Sequence, residues 1–304
     1  MTAPTTTDTT PDTGQRTRVL AAVTITVLAW ASAFIGIRWV GQHYTAGPLA
    51  FGRLLVGTLA LGAALATTRR WVTPTRREWA LILLCGIAWF GIYNVALNEA
   101  ERRVDAGTAA MLVNLGPILI ALFAGLLLRE GFPRWLIIGA AVAFSGVILI
   151  GVSTARRTDV GPDGADALGI ALLLLAAITY AIGVLAQKPT LRRLPALQVT
   201  WLACTIGTLT CAPWAPTFAG QLADSPAGAT AGLAYLGLVP TAAAFGTWGY
   251  ALARMDAGRL GITTYVVPPL AVLGGWIALG ETPAALALVG GAVCLAGVAL
   301  SRRR

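Results

Sequence analysis

The sequence is poor in charge. Asp, Glu, Lys and Arg make up 12% of 304 residues, about half of the roughly 25% that soluble domains carry, which excludes an ordinary water-soluble fold. Histidine occurs once, as His43. The four cysteines, Cys85, Cys204, Cys211 and Cys294, stand singly in apolar runs without CxxC spacing, so the usual patterns for zinc or dithiol chemistry are missing. No glycine-rich loop carries the Lys that would hold nucleotide phosphates, and nothing marks an ATPase. No metal and no cofactor is expected. The 13 acidic residues all lie at or beyond the ends of apolar runs. An intramembrane enzyme acting on a lipid-linked substrate would need paired carboxylates or a His near the membrane surface, and only Glu99 and Glu101 offer a weak match. A scaffold that transports nothing has no use for polar groups inside its spans.

Uncharged chain is what the sequence has in abundance. Residues 19–37, 79–98, 106–128, 135–155, 167–187, 194–223, 225–253, 260–280 and 282–301 contain no charged side chain, and a bilayer core of about 30 Å takes about 20 apolar residues of helix. A further span at Pro48 to Thr68 is interrupted by Arg53 alone. Pro213, Trp214, Pro216 and Gly220 close the run at 194–223, and Ser225, Pro226 and Gly228 delay the next. The expectation is an all-α integral membrane protein with ten transmembrane helices, here called spans 1 to 10.

The 22 basic residues orient it, because cytoplasmic loops hold the excess of Lys and Arg. With the N-terminus inside, 16 fall on inner segments: Arg16, Arg18, Arg69, Arg70, Arg76, Arg77, Arg129, Arg134, Lys188, Arg192, Arg193, Arg254, Arg259 and Arg302 to Arg304. Outer loops hold Arg102, Arg103, Arg156 and Arg157, and Arg38 and Arg53 remain. Both termini are therefore expected in the cytoplasm of a multi-pass protein of the cell (inner or plasma) membrane. The net charge of +9 needs no nucleic-acid partner. Residues 1–18, rich in Thr, Pro and Asp, are expected to form a disordered cytoplasmic tail, and 302–304 a basic cytoplasmic end. Ala31-Ser32-Ala33 has the small-residue pattern of a signal cleavage site, but the apolar run continues to Val40, which disfavours a secretory signal.

Sliding the sequence along itself by 151 residues reveals a duplication. Asp105-Ala106-Gly107 falls on Asp256-Ala257-Gly258, Pro117 on Pro268, Glu130 on Glu281, and Gly146-Val147 on Gly297-Val298. At an offset of 150, Trp30 falls on Tyr180, Arg38 on Lys188, and Gly57-Thr58-Leu59 on Gly207-Thr208-Leu209. The halves are 19–152 and 167–301, joined by an external linker at 153–166. Each has five spans, and an odd number starts the second copy on the opposite side of the bilayer. Inverted repeats of this kind mark secondary transporters that work by alternating access around a midplane site.

Trp30-Ala31-Ser32-Ala33-Phe34-Ile35-Gly36-Ile37-Arg38 in span 1, Ala50-Phe51-Gly52-Arg53 in span 2, Asp105-Ala106-Gly107 before the Pro117 span that ends in Arg129-Glu130, and the recurrence of that pattern through Glu281 resemble the EamA family of the drug/metabolite transporter superfamily. The resemblance covers about residues 19–301. It implies a ten-helix inner-membrane carrier, an exporter of amino acids, related metabolites or amphipathic compounds, with a central cavity between the halves.

Polar groups inside a membrane are costly and usually face the bundle interior. Tyr93, Asn94 and Asn98 in span 3, Asn114 in span 4 and Tyr265 in span 9 are the candidates; Asn114 and Tyr265 each stand three residues before the repeated Pro. Interhelical hydrogen bonding is the plainer role for such residues. Arg53 lies about six residues inside span 2, roughly 9 Å deep. It either snorkels to the outer interface or offers its guanidinium fork to a carboxylate or phosphate, and its repeat position is Ala203. Trp30, in mid-span, is a candidate for stacking on a solute. Pro117, Pro240, Pro268 and Pro269 are candidate hinges, since each interrupts the helix ladder. Glu99 and Glu101 are the nearest groups for proton coupling, with a solvated loop shared with Arg102 and Arg103 as the plainer reading. The expected partners are a small-molecule solute and the lipid bilayer, with a homodimer through the glycine-rich spans 5 and 10 as a further expectation.

Overall fold

The computed structural model describes residues 13–68, 70–120, 123, 134–155, 165–281 and 284–300, and these contain helices and turns without a strand. The segments are α1 (Thr13–Val40), α2 (Ala46–Thr68), α3 (Arg76–Ala100), α4 (Ala106–Ile120), α5 (Arg134–Ala155), α6 (Ala165–Thr190), α7 (Ala196–Thr210), α8 (Ala227–Leu252), α9 and α10 (Ala285–Leu300). α9 is composite: Ala257–Thr263, a 3-10 turn at Thr264–Val266, then Val267–Leu279. α1, α2, α3, α6 and α8 each contain a stretch long and apolar enough to cross a membrane, and shorter apolar stretches occur in α4, α7, α9 and α10. Large side chains turn outward where lipid would lie; the repeat partners Leu59 and Leu209 are 65% and 67% exposed, as an apolar solvent permits.

Two boundaries differ from expectation. α1 starts at Thr13, within the stretch read as tail, because Gln15, Arg16, Thr17 and Arg18 include no breaker and their polar ends can reach the interface while the backbone stays helical. Pro213 and Pro216 start structure as well as end it: Pro213 sits in a 3-10 turn at Ala212–Trp214, and Pro216 opens a short helix, Ala215–Asp224, where its missing N–H costs nothing. Phe218 of that helix stacks on Tyr44 and meets Phe51 edge-on, covering the start of α2.

Local caps fix the starts of two helices. Thr75 and Glu78 form a reciprocal capping box at α3, and the Asp105 carboxylate accepts from the Thr108 N–H at 2.9 Å at α4; each satisfies N–H groups that a helix start leaves without partners. Gly280 ends α9 at φ 67°, a left-handed position that a side chain would strain.

The repeats are crossed. α1 packs on α8 and α9, while its counterpart α6 packs on α3 and α4; α2 meets α7, and α5 meets α10. That exchange of neighbours is what a two-fold relation between the repeats produces. It reaches local detail: α3 widens to a π-helix at Gly86–Ile92, and α8 does so at Gly237–Ala243, with the same offset of 151. A Cβ added at Gly86 would stand 2.6 Å from Ile206 Cβ and 2.8 Å from the Ala203 carbonyl; one added at Gly237 would stand 2.5 Å from Val56 Cβ and 2.9 Å from the Arg53 carbonyl. The missing side chains let each π segment lie against the backbone of the opposite repeat, at the sort of position where such bulges mark functional sites.

Among the hinge candidates, Pro240 lies inside the α8 π segment, and Pro268 and Pro269 occupy the first turn after the α9 3-10 turn. Pro117 follows a break in α4 at Asn114–Leu115. The small residues of α5 and α10 face each other within the chain: a Cβ at Gly297 would meet the Gly139 carbonyl at 2.6 Å and Ala143 Cα at 2.9 Å. The glycine faces behind the dimer expectation are thus used inside one chain. Glu130, Arg156, Arg157 and 302–304 lie outside the described residues.

Candidate functional site

A chamber of about 40 Å³ lies where α1, α2, α3, α4, α6, α8 and α9 converge. It has room for roughly three water molecules. One wall is aromatic: Trp30 lies 6.2 Å from Trp89, 6.4 Å from Tyr180 and 5.4 Å from Phe245, between ring centroids. Trp248 backs this wall, 4.9 Å from Trp30. Such edge and tilted contacts fix rings in place. The pairing of Trp30 with Tyr180, read from the repeat, is therefore a contact across the two halves.

The other wall is polar. Arg53 is 3% exposed, so its guanidinium is inside the bundle instead of snorkelling to the interface. Its Nε donates to Thr241 Oγ1 at 3.2 Å, and that hydroxyl donates to the Leu236 carbonyl at 2.8 Å, five residues back along the π segment. Arg53 Nη1 is buried and makes no hydrogen bond. A buried donor without a partner is expensive, and a cation there is more so. Asn114 donates to the Ala110 carbonyl at 2.9 Å and accepts from Thr264 Oγ1 at 3.2 Å, tying α4 to α9 beside the chamber.

Of the sequence candidates, Trp30, Arg53, Tyr93 and Asn114 line the chamber. Asn94 and Asn98 are buried but stand elsewhere. Asn94 donates to the Phe90 carbonyl at 2.8 Å, serving the π segment, and Asn98 donates to the Ala46 carbonyl at 3.2 Å, joining α3 to α2. Tyr265 packs half-buried against the apolar core, and its neighbour Thr264 takes the chamber position, because the tight 3-10 turn changes which residue faces inward. Trp89, Tyr180, Phe245 and Thr264 also line it and are not among the sequence candidates. Tyr180 had a signal, its alignment with Trp30. Trp89 aligns with Pro240 and had none.

One end of the bundle is latched across the repeats. Arg38 Nε meets Glu281 Oε1 at 2.5 Å, Arg38 Nη1 donates to the Glu101 carbonyl at 2.5 Å, and the Ala106 N–H reaches Glu281 Oε2 at 3.4 Å. A recess of about 280 Å³, lined by Ile37, Arg38, Gly41, Gln42, Glu101, Arg102 and Glu281, opens beside it. At the repeat-equivalent place, Lys188 Nζ donates to the Leu252 and Met255 carbonyls at 2.6 and 2.9 Å. Each cation thus binds the carbonyls at the end of the third helix of its own repeat, where the helix dipole is negative.

Glu99 behaves as the loop reading expects, paired with Arg103 at 2.6 Å and Arg102 at 3.9 Å. Glu101 does not. It is 1% exposed, and neither carboxylate oxygen has a hydrogen-bond partner. The sequence carried a signal for this: Asn94, Asn98 and Glu101 recur at i, i+4 and i+7, one face of one helix. Cys85, Cys204 and Cys211 are buried free thiols, and no cluster of His, Cys, Asp and Glu with metal-binding geometry occurs among the described residues.

Comparison with known proteins agrees with this architecture. The model of the EamA-like transporter family matches residues 17–152 and again 167–303. A "Probable terminal-alkyne amino-acid exporter" of Streptantibioticus cattleyicolor is 38% identical over 93% of this chain and 93% of its own. The uncharacterized transporter YdfC of Bacillus subtilis is 30% identical over 92% and 90%, and a probable biotin transporter of Pseudomonas aeruginosa is 28% identical over 91% and 95%. A crystal structure of a protein 20% identical shares the fold, with a TM-score of 0.63 over 94% of this chain and 96% of that one. Two matched repeats, crossed packing and relatives named as transporters over nearly their whole length place the chain in the EamA-like transporter family, as a multi-pass membrane transporter.

Proposed function

We propose that this protein exports amino acids with apolar or unsaturated side chains across the cell membrane, through ten spans with both termini cytoplasmic, by alternating access to the central chamber. The observation that carries the reading is Arg53: a buried guanidinium whose Nη1 has no partner, in a chamber whose other wall is aromatic. A solute carboxylate would satisfy that donor with a charge-assisted bond, and an apolar or alkynyl side chain would lie among Trp30, Trp89, Tyr180 and Phe245. The 38% identical relative named for terminal-alkyne amino acids supports this choice of solute. The distribution of basic residues supports the orientation.

The chamber as it stands is too small for an amino acid, so binding requires one end to open. The Arg38–Glu281 pair joins α1 of one repeat to the end of α9 in the other and acts as the latch at the outer end. Both partners are partly exposed, so the pair is worth about 1 kcal/mol at most. In Glu281→Gln, alkylation of a cysteine placed at Ile37 by a membrane-impermeant maleimide is expected to speed up about fivefold; an unchanged rate would remove the latch from the account. Counterflow of propargylglycine in proteoliposomes, compared with leucine and biotin, tests the solute. Exchange of propargylglycine and leucine but not biotin is expected, and exchange of biotin alone would overturn it.

A further inference from the structure

Glu101 stands one helical turn beyond Leu97, which lines the chamber, and its N–H bonds to the Leu97 carbonyl at 2.9 Å. The residue also lines the recess at the latch end. It therefore lies between chamber and recess, buried, with both oxygens unpartnered. Charged and titratable groups face it from every side: Arg38 on α1, Arg53 on α2, Tyr93 on α3, Asp105 at the start of α4 and Glu281 after α9; Arg102 shares the recess. Neither arginine pairs with it. Arg38 holds its backbone carbonyl and the Glu281 carboxylate, and Arg53 holds Thr241.

The fold does not need a carboxyl there. At the repeat-equivalent position stands Leu252, fully buried, with its carbonyl held by Lys188 as the Glu101 carbonyl is held by Arg38. The same architecture is built with an apolar side chain at the other end. Burial pushes the Glu101 carboxyl well above the usual carboxylate range, against the opposing pull of Arg53 and Arg38. Burying an ionised carboxylate here without a hydrogen-bond partner is strongly disfavoured, so the closed arrangement goes with the neutral acid.

We propose that Glu101 is the proton-binding group of this carrier, taking up one proton from the recess as the latch end closes and releasing it by way of the chamber when the opposite end opens and water hydrates the carboxylate there, so that one proton crosses the membrane against each solute exported. The transport cycle is thereby linked to the proton gradient. This rests on the carrier reading, and the test separates the two. First, the full chain in liposomes is treated with dicyclohexylcarbodiimide, which attacks protonated carboxyls in apolar surroundings, and adducts are mapped by peptide mass spectrometry. Glu101 is expected to be modified on the order of tenfold more than Glu99 near neutral pH, because burial favours its protonated form, with the yield falling as pH rises. Preferential modification of Glu99, or none at Glu101, overturns the proposal whether or not any solute moves. Second, propargylglycine flux is measured with and without an imposed pH gradient. The wild-type steady-state distribution is expected to shift roughly tenfold per pH unit for one coupled proton, and that of Glu101→Gln not at all. A gradient response that persists in Glu101→Gln overturns the coupling. If the wild type moves no propargylglycine, the solute reading falls and the carbodiimide result alone decides the proton site.

Discussion

Arg53→Gln is expected to reduce propargylglycine counterflow to on the order of 1% of wild type while leaving the amount of membrane protein unchanged. Two contributions set that size. A hydrogen bond to a charged group is worth about 1.5–3 kcal/mol, and a solute carboxylate brought into the chamber without its cation is left buried and unpaired, which costs more. The fold survives because the Arg53 side chain makes one hydrogen bond among the described residues, through Nε to Thr241, and Gln removes a buried charge whose Nη1 has no partner. Its repeat position, Ala203, is fully buried without any charge. Arg53→Lys separates charge from geometry: Lys keeps the charge but not the planar fork, so transport at a small fraction of the wild-type rate is expected. Full activity in either variant would exclude the carboxylate-anchoring role.

Gly297→Leu is the substitution expected to damage the fold most. A Cβ at Gly297 runs into backbone of α5, the Gly139 carbonyl and the N and Cα of Ala143. Backbone cannot turn aside as a flexible side chain can, so α5 and α10 must separate. Overpacking of this kind costs about 1–3 kcal/mol or more, and in lipid little hydrophobic force pulls the helices back together. A sharp fall in detergent-extracted, monodisperse protein is expected. Gly220→Ala, in the short helix where an added Cβ meets nothing within 4 Å, is the control and should be neutral or slightly stabilising. Equal yields from Gly297→Leu and Gly220→Ala would mean the α5–α10 contact is not what holds the halves.

The uncharged runs and the duplication were legible in residues because they are properties of composition and spacing. The crossed pairing of α1 with α8 and α9, and of α6 with α3 and α4, is what such a duplication leads to once the helices pack. Pro240 announced the irregularity in α8. The matching π segment of α3 carries no proline; Gly86 lying on the backbone of α7 accompanies it, and packing between distant segments leaves no local mark. Part of the chamber lining is readable: Trp30, Arg53, Tyr93 and Asn114 stand out as aromatic or polar groups in apolar helix. Asn94 and Asn98 stand out in the same way yet serve backbone carbonyls, since a polar residue in a membrane helix satisfies a neighbour as readily as a ligand. Thr264 displaced Tyr265 through a change of helix pitch that a fixed offset does not track. Glu101 was visible in position but was grouped with its charged neighbours, although its helical phase follows the two asparagines.

Alternating access of the central chamber is the claim on which the rest depends, and a cysteine at Thr264, 4% exposed beside Asn114, tests it most directly. Thr264→Cys is reconstituted in liposomes, and a membrane-impermeant maleimide is applied from outside or enclosed within, with wild type as the control for native thiols. The account predicts alkylation of the new cysteine from either side, slowed in both cases by propargylglycine. Alkylation from one side alone, or from neither while counterflow proceeds, would contradict it.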